Sequence, residues 1–167
     1  MVLAQDLVTI AGLPAHPLLV HAVVVLLPLA AVGVVTIAVR PAWRRRYGPV
    51  VAGLTVLGVA VVPFAQQAGE QLAARLARVG NPLIVQHTAL GRTLLPYSVV
   101  FAALTLALVL TGRWADRAVS DRHRAWRVLV AVVAVLAVGS AAVTTAQVVR
   151  IGHSGSKAVW DGVSTLP

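Results

Sequence analysis

Cysteine is absent from the chain. That excludes disulfides, thiolate metal sites, a covalently attached c-type haem and a lipoprotein anchor. Acid is scarce as well: five Asp and Glu residues stand against fourteen Lys and Arg, for a formal net charge of +9. Charged residues of either sign make up 11% of the 167 positions, where soluble domains carry about a quarter. So few charges cannot cover in water a chain that is 59% hydrophobic with a mean hydropathy of +0.87. The bilayer must serve as solvent for much of it. Met1 to Pro14 has no basic residue, its one charge being Asp6, so it does not read as a cleaved signal peptide. No Gly-rich phosphate loop, GxSxG elbow or HExxH pair occurs. Ser154 beside His153 is not a catalytic pair on adjacency alone. The high basic balance does not indicate nucleic acid, because the arginines cluster at the ends of apolar runs without a groove-reading element.

Long apolar runs are what the chain does have. A spanning helix needs about 20 mostly apolar residues, and four stretches qualify: about 17–39, 47–65, 94–111 and 128–149. Backbone groups in lipid must be satisfied within the segment, so each run is expected to be helical despite its valines. The fold class is therefore all-α, an integral membrane four-helix up-and-down bundle forming a single transmembrane domain. Arg40, Arg44, Arg45 and Arg46 lie between the first two spans; Arg113, Arg117, Arg122, Arg124 and Arg127 lie between the last two. These nine of the fourteen basic residues assign both connections to the cytoplasm, with Trp43, Tyr47, Trp114 and Trp126 as an aromatic belt. Both termini and the 66–92 hairpin are then extracytoplasmic. In the hairpin, Gly80, Asn81 and Pro82 read as a helix stop, an N-cap and a first helical position, so helices two and three extend beyond the membrane and turn there. Gly53 and Gly58, with Ala52 and Ala60, suggest close helix approach, as do Gly33 and Gly139.

Chemistry concentrates at the outer end. His16, His21, His87 and His153 fall there, while His123 lies in a cytoplasmic connection. Ionisable side chains in membrane segments are costly and by default suggest function. Gln66, Gln67 and Glu70 share one helix face; Ser140, Thr144 and Gln147 form a stripe climbing toward Arg150 and His153. The bland alternatives are that interfacial histidines bond carbonyls or water, and that polar stripes glue helices together. Glu70 is expected to meet Arg92, His87 or both across the turn at Gly80. His16 and His21 would lie about 140° apart on one helix, at about 100° per residue, and share a ligand only if His16, before Pro17, lies off the helix.

The run His16-Pro17-Leu18-Leu19-Val20-His21 resembles the HPxxVH opening of a bacterial membrane-protein family catalogued as domain of unknown function 2231 (DUF2231). Gly152-His153-Ser154-Gly155 with Ala158-Val159-Trp160 resembles that family's closing Gly-His-x-Gly stretch, with Ser156 where glycine is expected and Trp160 where tyrosine is expected. His87 falls where such proteins carry a histidine. The resemblance covers nearly the whole chain in span number and order. It implies a four-span protein of the bacterial cytoplasmic membrane with a redox or haem-related role, and no settled activity.

These readings combine into two main expectations of different class, with a metal-assisted enzyme as a third. One is a binding or electron-transfer module whose extracytoplasmic histidine site holds haem b or a transition-metal ion. For haem, His21 and His87 would be axial ligands, with Arg92 and Arg150 toward the propionates. For a small ion, the ligands would come from His16, His21, Glu70, His87 and His153, imidazole being the commonest metal-ligand side chain. The other is a non-catalytic membrane subunit or scaffold with structural histidines. Beyond the lipid bilayer, partners would be other membrane or redox subunits or a homo-oligomer, with no nucleic acid.

Overall fold

A computed structural model describes residues 8–76, 80–117 and 123–161. The elements are two short strands, β1 (Thr9–Ile10) and β2 (Leu13–Pro14), and five helices: α1 (Ala15–Val39), α2 (Pro41–Leu76), α3 (Pro82–Arg92), α4 (Leu94–Arg117) and α5 (His123–Trp160). Four stretches are long and apolar enough to cross a membrane: Ala15–Val39, Pro41–Leu76, Pro82–Ala115 and Arg124–Trp160. At 1.5 Å per residue, α2 with 36 residues and α5 with 38 run about 54 Å and about 57 Å. A hydrocarbon core is about 30 Å thick, so both helices project well beyond one.

Helices α1 and α4 each pack on α2 and α5, while α1 and α4 scarcely touch, so the four long helices close a ring with α1 and α4 diagonal; α3 lies across α5 and α2. The chain therefore runs up and down between two ends. One end carries Arg40, Arg44, Arg45, Arg46, Arg113, Arg124 and Arg127; the other carries His16, Glu70, His87 and Ser154. At the arginine end, Arg40 lies 4.9 Å over the Trp43 ring and Arg46 lies 5.5 Å over Tyr47, while Trp114 and Trp126 meet edge to face at 6.1 Å. No loop separates α1 from α2 there: α2 starts at Pro41, and Arg44–Arg46 belong to its first turns. Proline suits the first helical position because its missing N–H would be unpaired there anyway.

The core is made of Leu27, Val34, Ile37, Val62, Phe101 and Leu108, all essentially inaccessible. Many exposed side chains are apolar too, among them Val25, Val32, Leu57, Phe64, Val100 and Val135, as a lipid-facing surface requires. Hydroxyls buried in this core bond their own helix: Thr55 to the Val51 carbonyl, Thr105 to Phe101 and Thr111 to Ala107. The α5 stripe instead reaches across. Thr144 donates to the Tyr97 carbonyl at 3.3 Å, and Gln147 donates to Thr93 Oγ1 at the α3–α4 junction. These two residues act as interhelical glue, which accounts for the polar stripe without a ligand.

Small residues divide into two groups. At Gly33 a β-carbon would stand 2.9 Å from Val51 Cγ2, and at Gly58 2.9 Å from Leu27 Cδ2, so both are close-approach points between α1 and α2. Gly53 and Gly139 have nothing within 4 Å at that position, so the expectation of tight packing fails for them: each lies on an outward face of its helix.

The turn before α3 forms as its residues dictate. Gly80 has φ +67°, a left-handed value that glycine adopts without strain, and the Asn81 side chain accepts from Leu83 N at 2.9 Å to cap α3, with Pro82 following. The β1–β2 hairpin was not foreseen. Its two-residue turn, Ala11 (φ 52°) and Gly12 (φ 79°), has both φ values positive, as a type I′ hairpin turn demands. Val8 N donates to Gln71 Oε1, tying the hairpin to the projecting part of α2.

Candidate functional site

Four elements meet at the histidine end: the start of α1, the far parts of α2 and α5, and α3. His16 sits in the first turn of α1, one residue before Pro17. It is therefore on the helix, because a proline in the first turn forfeits no intrahelical hydrogen bond. The condition under which His16 and His21 could share a ligand is not met, and the partner of His16 is His87 instead. Their ring centroids are 6.3 Å apart, with the planes at 75°. Both rings are half-buried.

Each ring is fixed through Nδ1. His16 Nδ1 is 2.9 Å from the Ala65 carbonyl oxygen on α2, and His87 Nδ1 is 2.9 Å from Ser154 Oγ on α5. Each ring also lies against a glycine. A β-carbon at Gly69 would fall 2.7 Å from His16 Cε1 and 2.8 Å from Nδ1; one at Gly155 would fall 3.0 Å from His87 Cε1 and 3.3 Å from Nδ1. A β-carbon at Gly69 would displace the His16 ring, and one at Gly155 would press tightly on the His87 ring. Ala65, Gly69, Ser154 and Gly155 were missed as site residues. The signal that the sequence offers is Gly155 in the Gly152-His153-Ser154-Gly155 stretch.

The remaining candidates are placed as follows. His21 is exposed, and its Nδ1 lies 2.6 Å from the Pro17 carbonyl on its own helix. His153 is exposed on α5, which runs on past it to Trp160. Arg150 is exposed and contacts Gln147 Oε1 at 3.5 Å. Arg92 Nε donates to Glu70 Oε1 at 2.8 Å, as expected from the fold-back at Gly80. Gln66 Nε2 donates to the Gly91 carbonyl at 2.8 Å, so Gln66 and Glu70 together hold the α3–α4 junction, while Gln67 faces away. Among the described residues, no three His, Asp or Glu side chains are grouped so that they could hold one metal ion. The structure thus brings His16 and His87 together and leaves His21 and His153 outside that pair.

With side chains 67% and 47% exposed, the Arg92–Glu70 pair is a surface ion pair. Glu70→Gln is expected to lower stability by less than about 1 kcal/mol, read as a small shift in thermal unfolding in detergent. A cavity of about 420 Å³ lies beside this pair between α2 and α3, lined by Leu76, Pro82, Val85 and Thr88 among others; neither His16 nor His87 is in its wall.

A family model described as "Predicted membrane protein (DUF2231)" matches residues 12–166, taking in both histidine motifs and all five helices. No curated protein and no solved structure matches the chain.

Proposed function

We propose, on the premise that the chain belongs to the DUF2231 family of predicted membrane proteins, that it is a membrane-embedded binding module that holds a transition-metal ion at its histidine end and serves electron transfer through it. The observation that carries this reading is the His16–His87 pair: two half-buried imidazoles from diagonal parts of the bundle, each oriented by a hydrogen bond and seated on a glycine. Histidines that ligate metals are characteristically oriented in this way through their other ring nitrogen. A small ion fits better than haem b. The separation of the rings would also suit two axial ligands; a small ion needs only the two ring nitrogens, whereas a porphyrin needs several hundred Å³ between them. The site faces the extracytoplasmic side, on the argument that the opposite end carries the arginine cluster.

The alternative, a scaffold with structural histidines, draws on one specific observation. Both Nδ1 contacts cross between helices, α1 to α2 and α3 to α5, so the rings also staple the bundle. Metal analysis and an absorbance spectrum of the protein purified without chelator separate these readings. A bound transition metal without a Soret band is the expected result. A Soret band would turn the reading to haem, and a metal-free protein that also fails to take up added metal would leave the scaffold.

Orientation has its own test. A cysteine replacing Ser156 is expected to react with an impermeant thiol reagent in intact cells, and one replacing Arg45 only after the membrane is opened. The reverse pattern would invert the topology.

A further inference from the structure

We infer that the ion is copper, held by Nε2 of His16 and Nε2 of His87 as its two protein ligands; this rests on the reading that the pair binds a metal. The hydrogen bonds fix the chemistry of each ring. A carbonyl oxygen has no proton to give, so at the 2.9 Å contact with Ala65 it is His16 Nδ1–H that donates. In a neutral imidazole the lone pair is then on Nε2. For His87 the partner is a hydroxyl, which could donate or accept. Its proton is already committed: Ser154 Oγ donates to the Ile151 carbonyl at 2.8 Å. Ser154 Oγ is therefore assigned as the acceptor from His87 Nδ1–H, with the Ile151 carbonyl as a second acceptor for the ring, and this assignment leaves the lone pair of His87 on Nε2 as well. Helix α5 supplies both steps of this relay. Both rings are thus set in the tautomer that ligates through Nε2 before any ion arrives.

Distance and donor number select the ion. Two imidazoles sharing one ion through bonds of about 2.0–2.1 Å place their ring centroids about 5–6.5 Å apart, the long end corresponding to ligands on opposite sides of the ion. The observed 6.3 Å between centroids, with the planes at 75°, falls within that span, and in the proposed site both Nε2 atoms turn toward the shared ion. Zinc favours three or four protein ligands in a tetrahedral arrangement, and no third His, Asp or Glu joins this pair among the described residues. Copper tolerates the smaller set. Cuprous ion accepts two nitrogen donors in line, and cupric ion heads the divalent affinity series for nitrogen sites, filling its other positions with water.

Full-length protein in detergent, titrated with Cu⁺, Cu²⁺ and Zn²⁺ against chelators of known affinity, tests the inference. One copper per chain is expected, bound at least about tenfold more tightly than zinc. His16→Ala and His87→Ala should each weaken copper about 100-fold or more. Ser154→Ala, which removes only the acceptor that sets the tautomer of His87, should weaken it about tenfold. His21→Ala and His153→Ala should bind as the parent does. Circular dichroism of each variant separates lost ligands from lost fold, and Ser154→Ala reports on the site even where a histidine variant does not fold. Tight zinc or haem through the same two histidines, without copper, would overturn the copper assignment and leave the metal-binding reading standing. Copper that survives loss of His16 and His87 would overturn the site. No binding of any ion would overturn both.

Discussion

Replacing Gly69 with alanine is expected to weaken the proposed metal binding about 10–100-fold while leaving the helices intact. The new methyl group would stand 2.7 Å from Cε1 and 2.8 Å from Nδ1 of His16, well inside contact distance. The neighbour in the way is the imidazole itself, so the ring must swing off the Ala65 carbonyl and lose both its tautomer and its distance to His87. Loss of an orienting interaction of this kind typically lowers metal affinity about 10–100-fold. Stability should change little, because the helix-propensity gain of alanine over glycine, about 1 kcal/mol, is offset by loss of the interhelical His16–Ala65 hydrogen bond, worth about 1 kcal/mol. The measurement is ion affinity alongside thermal unfolding, with Gly91→Ala as the control, because a β-carbon there meets nothing within 4 Å. Unchanged affinity in Gly69→Ala would mean that the position of the His16 ring is irrelevant to binding.

The second large effect is on the fold. Gly58→Val is expected to destabilise the bundle by roughly 2–3 kcal/mol through overpacking of the α1–α2 contact. The first added carbon falls 2.9 Å from Leu27 Cδ2 and 3.3 Å from Leu26 Cβ. Leu27 is 1% exposed and has nowhere to retreat. The same substitution at Gly53, five residues earlier and facing open space, should change stability by no more than about 1 kcal/mol, with helix propensity favouring the variant. Unfolding of the two variants in mixed detergent tests the pair, and equal midpoints would contradict the packing described for α1 and α2.

Hydropathy and local chemistry carried much of this architecture. Four apolar runs of bilayer length translate into helices because only a helix satisfies its backbone in lipid within a single segment. Gly80-Asn81-Pro82 is a purely local signal and produced its turn and cap. The Glu70–Arg92 pair followed by folding the chain about that turn. The histidine pair was not readable in the same way. Pro17 after His16 suggested a break, since the residue before a proline avoids helical geometry, and helix α1 nonetheless starts at Ala15. That placed His21 on an exposed face and gave His16 a partner 71 positions along the chain. Glycine carries no mark in sequence that distinguishes a seat for an imidazole, as at Gly69 and Gly155, from an outward position such as Gly53 or Gly139. Only the helix partners decide between them. The Ser154 hydroxyl was likewise ambiguous until the fold turned it toward His87 rather than its neighbour His153.

Ligation of one ion by Nε2 of both His16 and His87 can be read by pulsed electron paramagnetic resonance of the Cu²⁺-loaded protein. A coordinated imidazole modulates the electron spin echo through its remote, protonated nitrogen, here Nδ1, and the modulation depth counts the rings. Two equivalent remote nitrogens are expected in the parent protein and one in either His16→Ala or His87→Ala at saturating copper. Two in the parent that persist in both variants, or none in the parent, would contradict it.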